Sequence, residues 1–267
     1  MQHFVWQIDP VLIDFGFLKI RWYGLMFASA FVFCYNVMLW IYKREGRNVE
    51  DLDGLLWYVA LGTVLGARLG HVLLYDPGYY FSHPAKILAI WEGGLASHGG
   101  TLGIMLAVYI YTRVHHDSYI WFMDRLSFPC AMGGCFIRIG NFFNSEILGT
   151  VTDRPWGVVF ARVDDLPRHP VQLYEAVCYA VIFFVLLHVY KKTYDKPYKC
   201  LIFGLLISSI FSVRIVLEFF KTEQATYAND FLLTTGQMLS IPFVLVGVGF
   251  IVWSLRNHKQ AVADNCS

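Results

Sequence analysis

The chain has 267 residues, of which 57% are hydrophobic, and its mean hydropathy is +0.49. That is more apolar than a soluble domain of this length normally is, so the sequence reads as a polytopic membrane protein. With 15% charged residues and a formal net charge of +1, it has neither a basic surface for nucleic acid nor an acidic tail, and its partners are expected in the bilayer.

The start, Met1-Gln2-His3-Phe4-Val5-Trp6, lacks a positive n-region and a small-residue cleavage site, so the first apolar segment is expected to be retained. Seven stretches are long and apolar enough to cross a hydrocarbon core about 30 Å thick. They cover 20–42, 54–75, 97–113, 121–143, 171–190, 200–220 and 236–255. The fold class expected is therefore an all-α membrane protein, a single polytopic domain over 1–267 with no repeat or low-complexity tract. The third span is short and opens on Ser97-His98-Gly99-Gly100, which suggests a helix starting partway into the membrane beside a protein-lined cavity. The cysteines (Cys34, Cys130, Cys135, Cys178, Cys200, Cys266) show no metal or redox spacing and read as packing residues.

Loop charge sets the expected orientation. Lys43, Arg44, Arg47, Arg113, Arg125, Lys191, Lys192, Lys196, Lys199, Arg256 and Lys259 fall on one face. Lys19, Arg21, Lys86, Lys221 and three arginines of the 150–170 connection fall on the other. The positive-inside rule makes the first face cytoplasmic, the amino terminus periplasmic and the carboxyl terminus cytoplasmic. Two connections on the opposite face are unusual. Residues 76–96 mix aromatics with Pro77, Gly78, Gly93 and Gly94 and read as an arm lying in the interface. The stretch at about 144–170 carries Pro155, Gly157, Pro167 and Pro170, and reads as a small extracytoplasmic cap.

Chemistry is sought in the polar residues that a span can least afford. An ionisable side chain at membrane depth costs from about 2.5 kcal/mol to more than 10, so such groups usually face a polar cavity and mark a substrate path. Arg138 and Asn141 lie three apart and share a helix face. Glu146 would be turned aside by an unbroken helix, so the chain is expected to unwind near Asn144 and bring Glu146 back. Arg214 and Glu218, four apart, would stack on one face. For Arg138 the plain alternative is an arginine–glutamate pair that glues helices together, and for Arg214 and Glu218 a purely structural i,i+4 ion pair within one span. His98 sits beside two glycines that would let a ligand approach the backbone, and an imidazole pKa of about 6.5 suits proton transfer near neutrality. A lone histidine is also commonly a hydrogen-bonded structural residue. Arg68 and Tyr23 are weaker candidates, since Trp22 and Tyr23 also suit an aromatic belt.

The run Arg138-Ile139-Gly140-Asn141-Phe142-Phe143-Asn144-Ser145-Glu146-Ile147-Leu148-Gly149 resembles the signature G-R-x-G-N-F-x-N-x-E-x-x-G of the prolipoprotein diacylglyceryl transferases. The similarity extends in order through Arg21 to Gly24, Gly66 to Gly70, Trp91 to Gly100, Arg168 to Glu175, Arg214 to Phe220 and Gly236 to Ser240. Ile137 departs from the glycine of the signature, and Ile210 stands where a tyrosine often precedes the arginine by one turn.

The resemblance implies a bacterial inner-membrane enzyme without metal or cofactor. It would move the diacylglyceryl group of phosphatidylglycerol to the lipobox cysteine of a prolipoprotein and release glycerol phosphate. His98 would serve as base for the thiol, with Arg138 and Arg214 on the departing phosphate. Tyr23, Asn141, Glu146, Gly149 and Glu218 would bind substrate, with orientation of the arginines as the alternative role for Asn141 and Glu146. Other classes would leave other marks. A lipid translocase or secondary transporter should show interrupted spans in two related halves, and a serine protease a G-x-S-x-G context that Ser97 lacks.

Overall fold

The computed structural model describes residues 3–16, 19–74, 76–89, 94, 96–196, 198–222 and 234–264, with the side chains of 97, 98, 235 and 259–264 excepted. Helix makes up 71% of it. The helices are α1 (Trp22–Arg44), α2 (Glu50–Leu74), the short α3 (Pro77–Ser82), α4 (Ser97–Val114), α5 (Tyr119–Phe143), α6 (Val171–Thr193), α7 (Leu201–Leu217) and α8 (Thr235–Asp264). Among the described residues, five helices are long and apolar enough to cross a membrane: α1, α2, α6, α7 continued to Phe220, and α8 from Gly236 to His258. Helices α4 and α5 occupy the predicted third and fourth positions but are not among the five. Only 18 residues make up α4, and α5 carries Asp124, Arg125, Arg138 and Asn141. The outward faces are apolar (Leu61, Leu65 and Leu69 on α2, Val177, Val181 and Phe184 on α6), the arrangement expected when the surrounding solvent is lipid.

The chain forms two compact units, one of Met1–Val37 with Met123–Ser267 and one of Met38–Phe122. In the second, α2 and α4 pack along glycines. A Cβ added at Gly66 would lie 2.7 Å from the Gly103 Cα, and one at Gly99 would lie 2.8 Å from the Gly70 Cα. Gly62, Gly66 and Gly70 thus face Gly99, Gly103 and Ala107, the small-residue spacing that lets two membrane helices touch backbone to backbone. This corrects the expectation that the glycines after His98 leave space for a ligand, since Gly99 and Gly100 are buried against α2. Arg68, also buried, donates to the carbonyls of Ile87 (2.9 Å), Lys86 (2.5 Å) and Gly94 (3.1 Å) and thereby fastens the 76–96 arm to α2. Within that arm, α3 is followed by a 3-10 turn over Pro84–Leu88. Residues 90–93 and 95 lie outside the described residues.

In the first unit the all-α expectation needs an addition. Strands β1 (Phe4–Trp6), β4 (Val158–Phe160) and β5 (Pro167–Arg168) form a small sheet in the order β1-β4-β5, with β1 parallel to β4. Strands β2 (Val11–Asp14) and β3 (Lys19–Arg21) form a hairpin leading straight into α1. Runs of two to four residues are too short to show an alternating period, so they are illegible without their partners. The connection at 150–170 is thus half of a sheet completed by the amino terminus. Its inner face, Val158 and Phe160, packs with Trp6, Leu148 and Leu173 onto Phe142 in the last turn of α5. On the same unit, the Asp124 carboxylate of α5 accepts from Cys200 N (2.7 Å) and Phe203 N (2.9 Å) and caps the start of α7, so this acid is structural.

Candidate active site

The end of α5 is where the polar residues converge. Ser145 has φ +55°, Glu146 N–H donates to the Asn141 carbonyl (3.0 Å) and Ser145 N–H to the Phe142 carbonyl (3.0 Å). This is a Schellman closure, with serine rather than glycine in the left-handed position. It reverses the chain so that Glu146 returns over the last turn, where its Oε2 accepts from Asn141 Nδ2 (3.1 Å) and its Oε1 from Asn144 Nδ2 (3.1 Å). The expected unwinding near Asn144 is what the chain does. Ile147 follows with φ +57°, unusual for a β-branched residue, and such strain persists only where the surroundings fix it. Here they do. Thr150 N–H donates to the Phe220 carbonyl (2.8 Å), Thr222 N–H to that of Leu148 (3.1 Å), and Gln172 Nε2 to that of Glu146 (2.5 Å).

Arg138 lies one turn before that closure. Its Nη1 donates to Asn141 Oδ1 (3.2 Å) and its Nε stands 2.7 Å from Oε2 of Glu175, a carboxylate 0% exposed in the second turn of α6. The other oxygen of Glu175 stands 2.9 Å from Lys221 Nζ, and Lys221 in turn lies 3.4 Å from Glu218 Oε2. Neither contact to Glu175 is aligned as a hydrogen bond, so the carboxylate is held by two cations through charge. A lone buried carboxylate would cost several kcal/mol, and two cations at contact distance are what offset it. Six ionisable or amide side chains therefore form one chain of contacts, Glu146–Asn141–Arg138–Glu175–Lys221–Glu218.

Of the remaining expected site residues, Tyr23, Gly149, Arg214 and Glu218 belong to the same unit as this cluster. Tyr23, in the first turn of α1, packs against Gly140, where a Cβ would meet its ring at 2.9 Å, and it lies in the fields of Glu146 and Arg138. Arg214 does not pair with Glu218 among the described residues. Its buried Nε has no hydrogen-bond partner, its guanidinium lies 5.7 Å from the Phe211 ring, and Tyr179 senses both it and Arg138. Glu218 keeps the α-helical bond of its N–H to the Arg214 carbonyl, and the 3-10 turn over Glu218–Phe220 that follows brings Lys221 beside its carboxylate. Its carboxylate abuts Gly236 at the start of α8, a place where the helix dipole favours an anion. At Gly149 a Cβ would lie 2.7 Å from the Cβ of His169 and the Cγ2 of Val171. Glycine lets that backbone bridge to Lys221 and so holds the lysine in place. The backbone of His98 begins α4, and its side chain lies outside the described residues.

Glu175 and Lys221 are absent from the residues expected from sequence. The signal for Glu175 was present, an acid near the start of an apolar span, as conspicuous as Arg138. Lys221 passed as a loop charge. On the adjoining 150–170 segment, Arg168 clasps Asp164 (2.5 Å) and holds its carboxyl below the usual range. Partial burial, helped by the charge of Arg154, lowers the His169 imidazole, whose Nδ1 lies 3.1 Å from the Tyr174 hydroxyl.

Within this cluster Arg138 turns Nε to Glu175 and Nη1 to Asn141 and also approaches the Tyr179 hydroxyl, while Arg214 makes no ion pair among the described residues. Such a pair of guanidinium groups suits an oxyanion, and phosphate above all. Fold and site together define a multi-pass membrane protein with a buried polar cluster that holds several cations. Residues 10–253 match the family model described as prolipoprotein diacylglyceryl transferase. Over 256 residues, 96% of this chain and 99% of the relative, the chain is 51% identical to the phosphatidylglycerol–prolipoprotein diacylglyceryl transferase of Tolumonas auensis. It is 47% identical to the protein of that name from Chloroherpeton thalassium (98% and 97% covered) and 40% identical to that of Bacteroides fragilis (92% and 93% covered). The chain belongs to the prolipoprotein diacylglyceryl transferase family.

Proposed function

We propose that this chain transfers the diacylglyceryl group of phosphatidylglycerol to the lipobox cysteine of prolipoproteins. The cysteine sulfur attacks the glycerol carbon that bears the phosphate ester, a carbon–sulfur bond forms, and the carbon–oxygen bond breaks. The headgroup leaves as glycerol phosphate. The thiol proton goes to a base, and a phosphodiester of charge −1 becomes a monoester that gains negative charge as it departs. Preorganised cations in a water-poor site lower the barrier of such a step. The observation that carries this reading is the guanidinium of Arg138, oriented inside the polar cluster by Asn141 and Glu175.

In this proposal Arg138 and Arg214 receive the departing phosphate and His98 takes the thiol proton. Tyr23, Asn141, Glu146 and Glu218 bind the headgroup glycerol, and Gly149 keeps the 148–150 backbone in its packed position. The chain crosses the bacterial inner membrane seven times, α4 and α5 included, with the amino terminus and the 144–170 cap on the periplasmic side and the 76–96 arm in the interface. The test is mass analysis of a synthetic lipobox peptide incubated with purified protein and phosphatidylglycerol vesicles. A diacylglyceryl gain on the cysteine is expected. No gain, with lipid instead exchanged between leaflets, would overturn the assignment.

A further inference from the structure

Glu175 is the one acid of the cluster with no exposure, and it touches two cations from two other segments, Arg138 of α5 at 2.7 Å and Lys221 after α7 at 2.9 Å. An anion sealed from water interacts with its neighbours far more strongly than one at a surface, so its position dictates theirs. Arg138 has three nitrogens in a rigid planar fork. With Nε drawn to Glu175 and Nη1 to Asn141, the plane of the guanidinium is fixed. Lys221 in turn is carried by the backbone bridge to Gly149 and by Glu218, so the anion links the end of α5 to the segment that follows α7.

We infer that Glu175 is a positioning residue. Its carboxylate, with Lys221 as counter-cation, sets the plane of Arg138 for the phosphate, while Glu175 itself touches no substrate. The inference rests on the transferase reading above. It predicts that Glu175 acts only through Arg138, so that removing either one forfeits most of what removing both forfeits. A carboxylate that merely held helices together would instead cost stability and leave the chemical step of the folded fraction unchanged.

The experiment is a double-mutant cycle of Glu175→Gln and Arg138→Gln, with single-turnover diacylglyceryl transfer measured on the detergent-purified, folded fraction and thermal stability followed alongside. Glu175→Gln is expected to lower the single-turnover rate about 100-fold, the scale of a misplaced reacting group, with the KM for peptide unchanged and the pH profile kept in shape. The double variant should be no slower than Arg138→Gln alone within about threefold. Additive losses would overturn the inference, as would a Glu175→Gln enzyme that turns over normally once folded.

If Glu175→Gln does not accumulate, the charge-balanced pair Glu175→Gln with Lys221→Gln takes its place in the cycle and is judged by the same criterion. Glu175→Asp keeps the charge but retracts it by one methylene, so full turnover in that variant also overturns the inference. Wild-type protein that transfers nothing would instead defeat the transferase reading.

Discussion

Replacing Arg138 by lysine tests whether the cluster needs a cation or a fork. Arginine contacts Glu175 through Nε at 2.7 Å and Asn141 through Nη1 at 3.2 Å, and these nitrogens point in different directions. Lysine has a single nitrogen, which can serve one partner or the substrate but not all three. Hydrogen bonds to charged groups contribute about 1.5–3 kcal/mol each. Loss of the substrate contact together with one positioning contact therefore removes about 3–6 kcal/mol from the transition state, or roughly 10²- to 10⁴-fold in rate. The net charge of the cluster is unchanged, so Arg138→Lys should still insert and accumulate in the membrane fraction. The assay is transfer to a lipobox peptide in mixed micelles containing phosphatidylglycerol, with protein quantified after purification. Turnover within threefold of wild type would mean that charge alone suffices and would refute the fork. Absence of folded protein would mean that Arg138 serves only to join helices.

Reporter fusions after residue 46 and at the carboxyl terminus should report cytoplasm and one at Asp164 periplasm, and an Asp164 fusion active only as a cytoplasmic reporter would reverse the orientation. His98→Gln should depress transfer most at or below neutral pH and recover in part toward the thiol pKa of about 8.5. A loss of equal size at every pH would remove His98 as the base. Gly103→Leu, at a position where even a Cβ would lie 2.9 Å from the Gly66 Cα, should cost about 1–3 kcal/mol and lower the Tm. Gly249→Ala, where nothing lies within 4 Å, is the control that should leave the Tm unchanged or raise it. Burial lowers the His169 imidazole in the folded state, so the unfolded chain binds its proton first as pH falls and stability should decline below about 6.5. His169→Gln should flatten that slope between pH 7 and 5, and an unchanged slope would place its origin elsewhere.

The helices and their order were legible in the chain, because an apolar run of span length has one way to satisfy its backbone in lipid. That is why 97–113 and 121–143 could be marked although each carries polar residues, and why α4 and α5 lie there. Arg138 and Asn141 were legible as a pair since three residues along a helix is a fixed geometry, and the return of Glu146 followed from the same geometry. The rest depended on residues far apart in sequence. Whether Gly99 and Gly103 border a ligand or a helix depends on what lies opposite, and only packing put Gly66 there. Strand β1 has a partner about 150 residues away that no local period announces. Helical spacing puts Glu218 one turn from Arg214, but it does not show that the 3-10 turn after Leu217 carries Lys221 to that carboxylate. Above all, sequence shows that Glu175 is an acid near the start of a span. That its two oxygens meet Arg138 and Lys221 is decided by tertiary structure, because ion pairing depends on distance in space, and three segments must pack before those charges come within 3 Å.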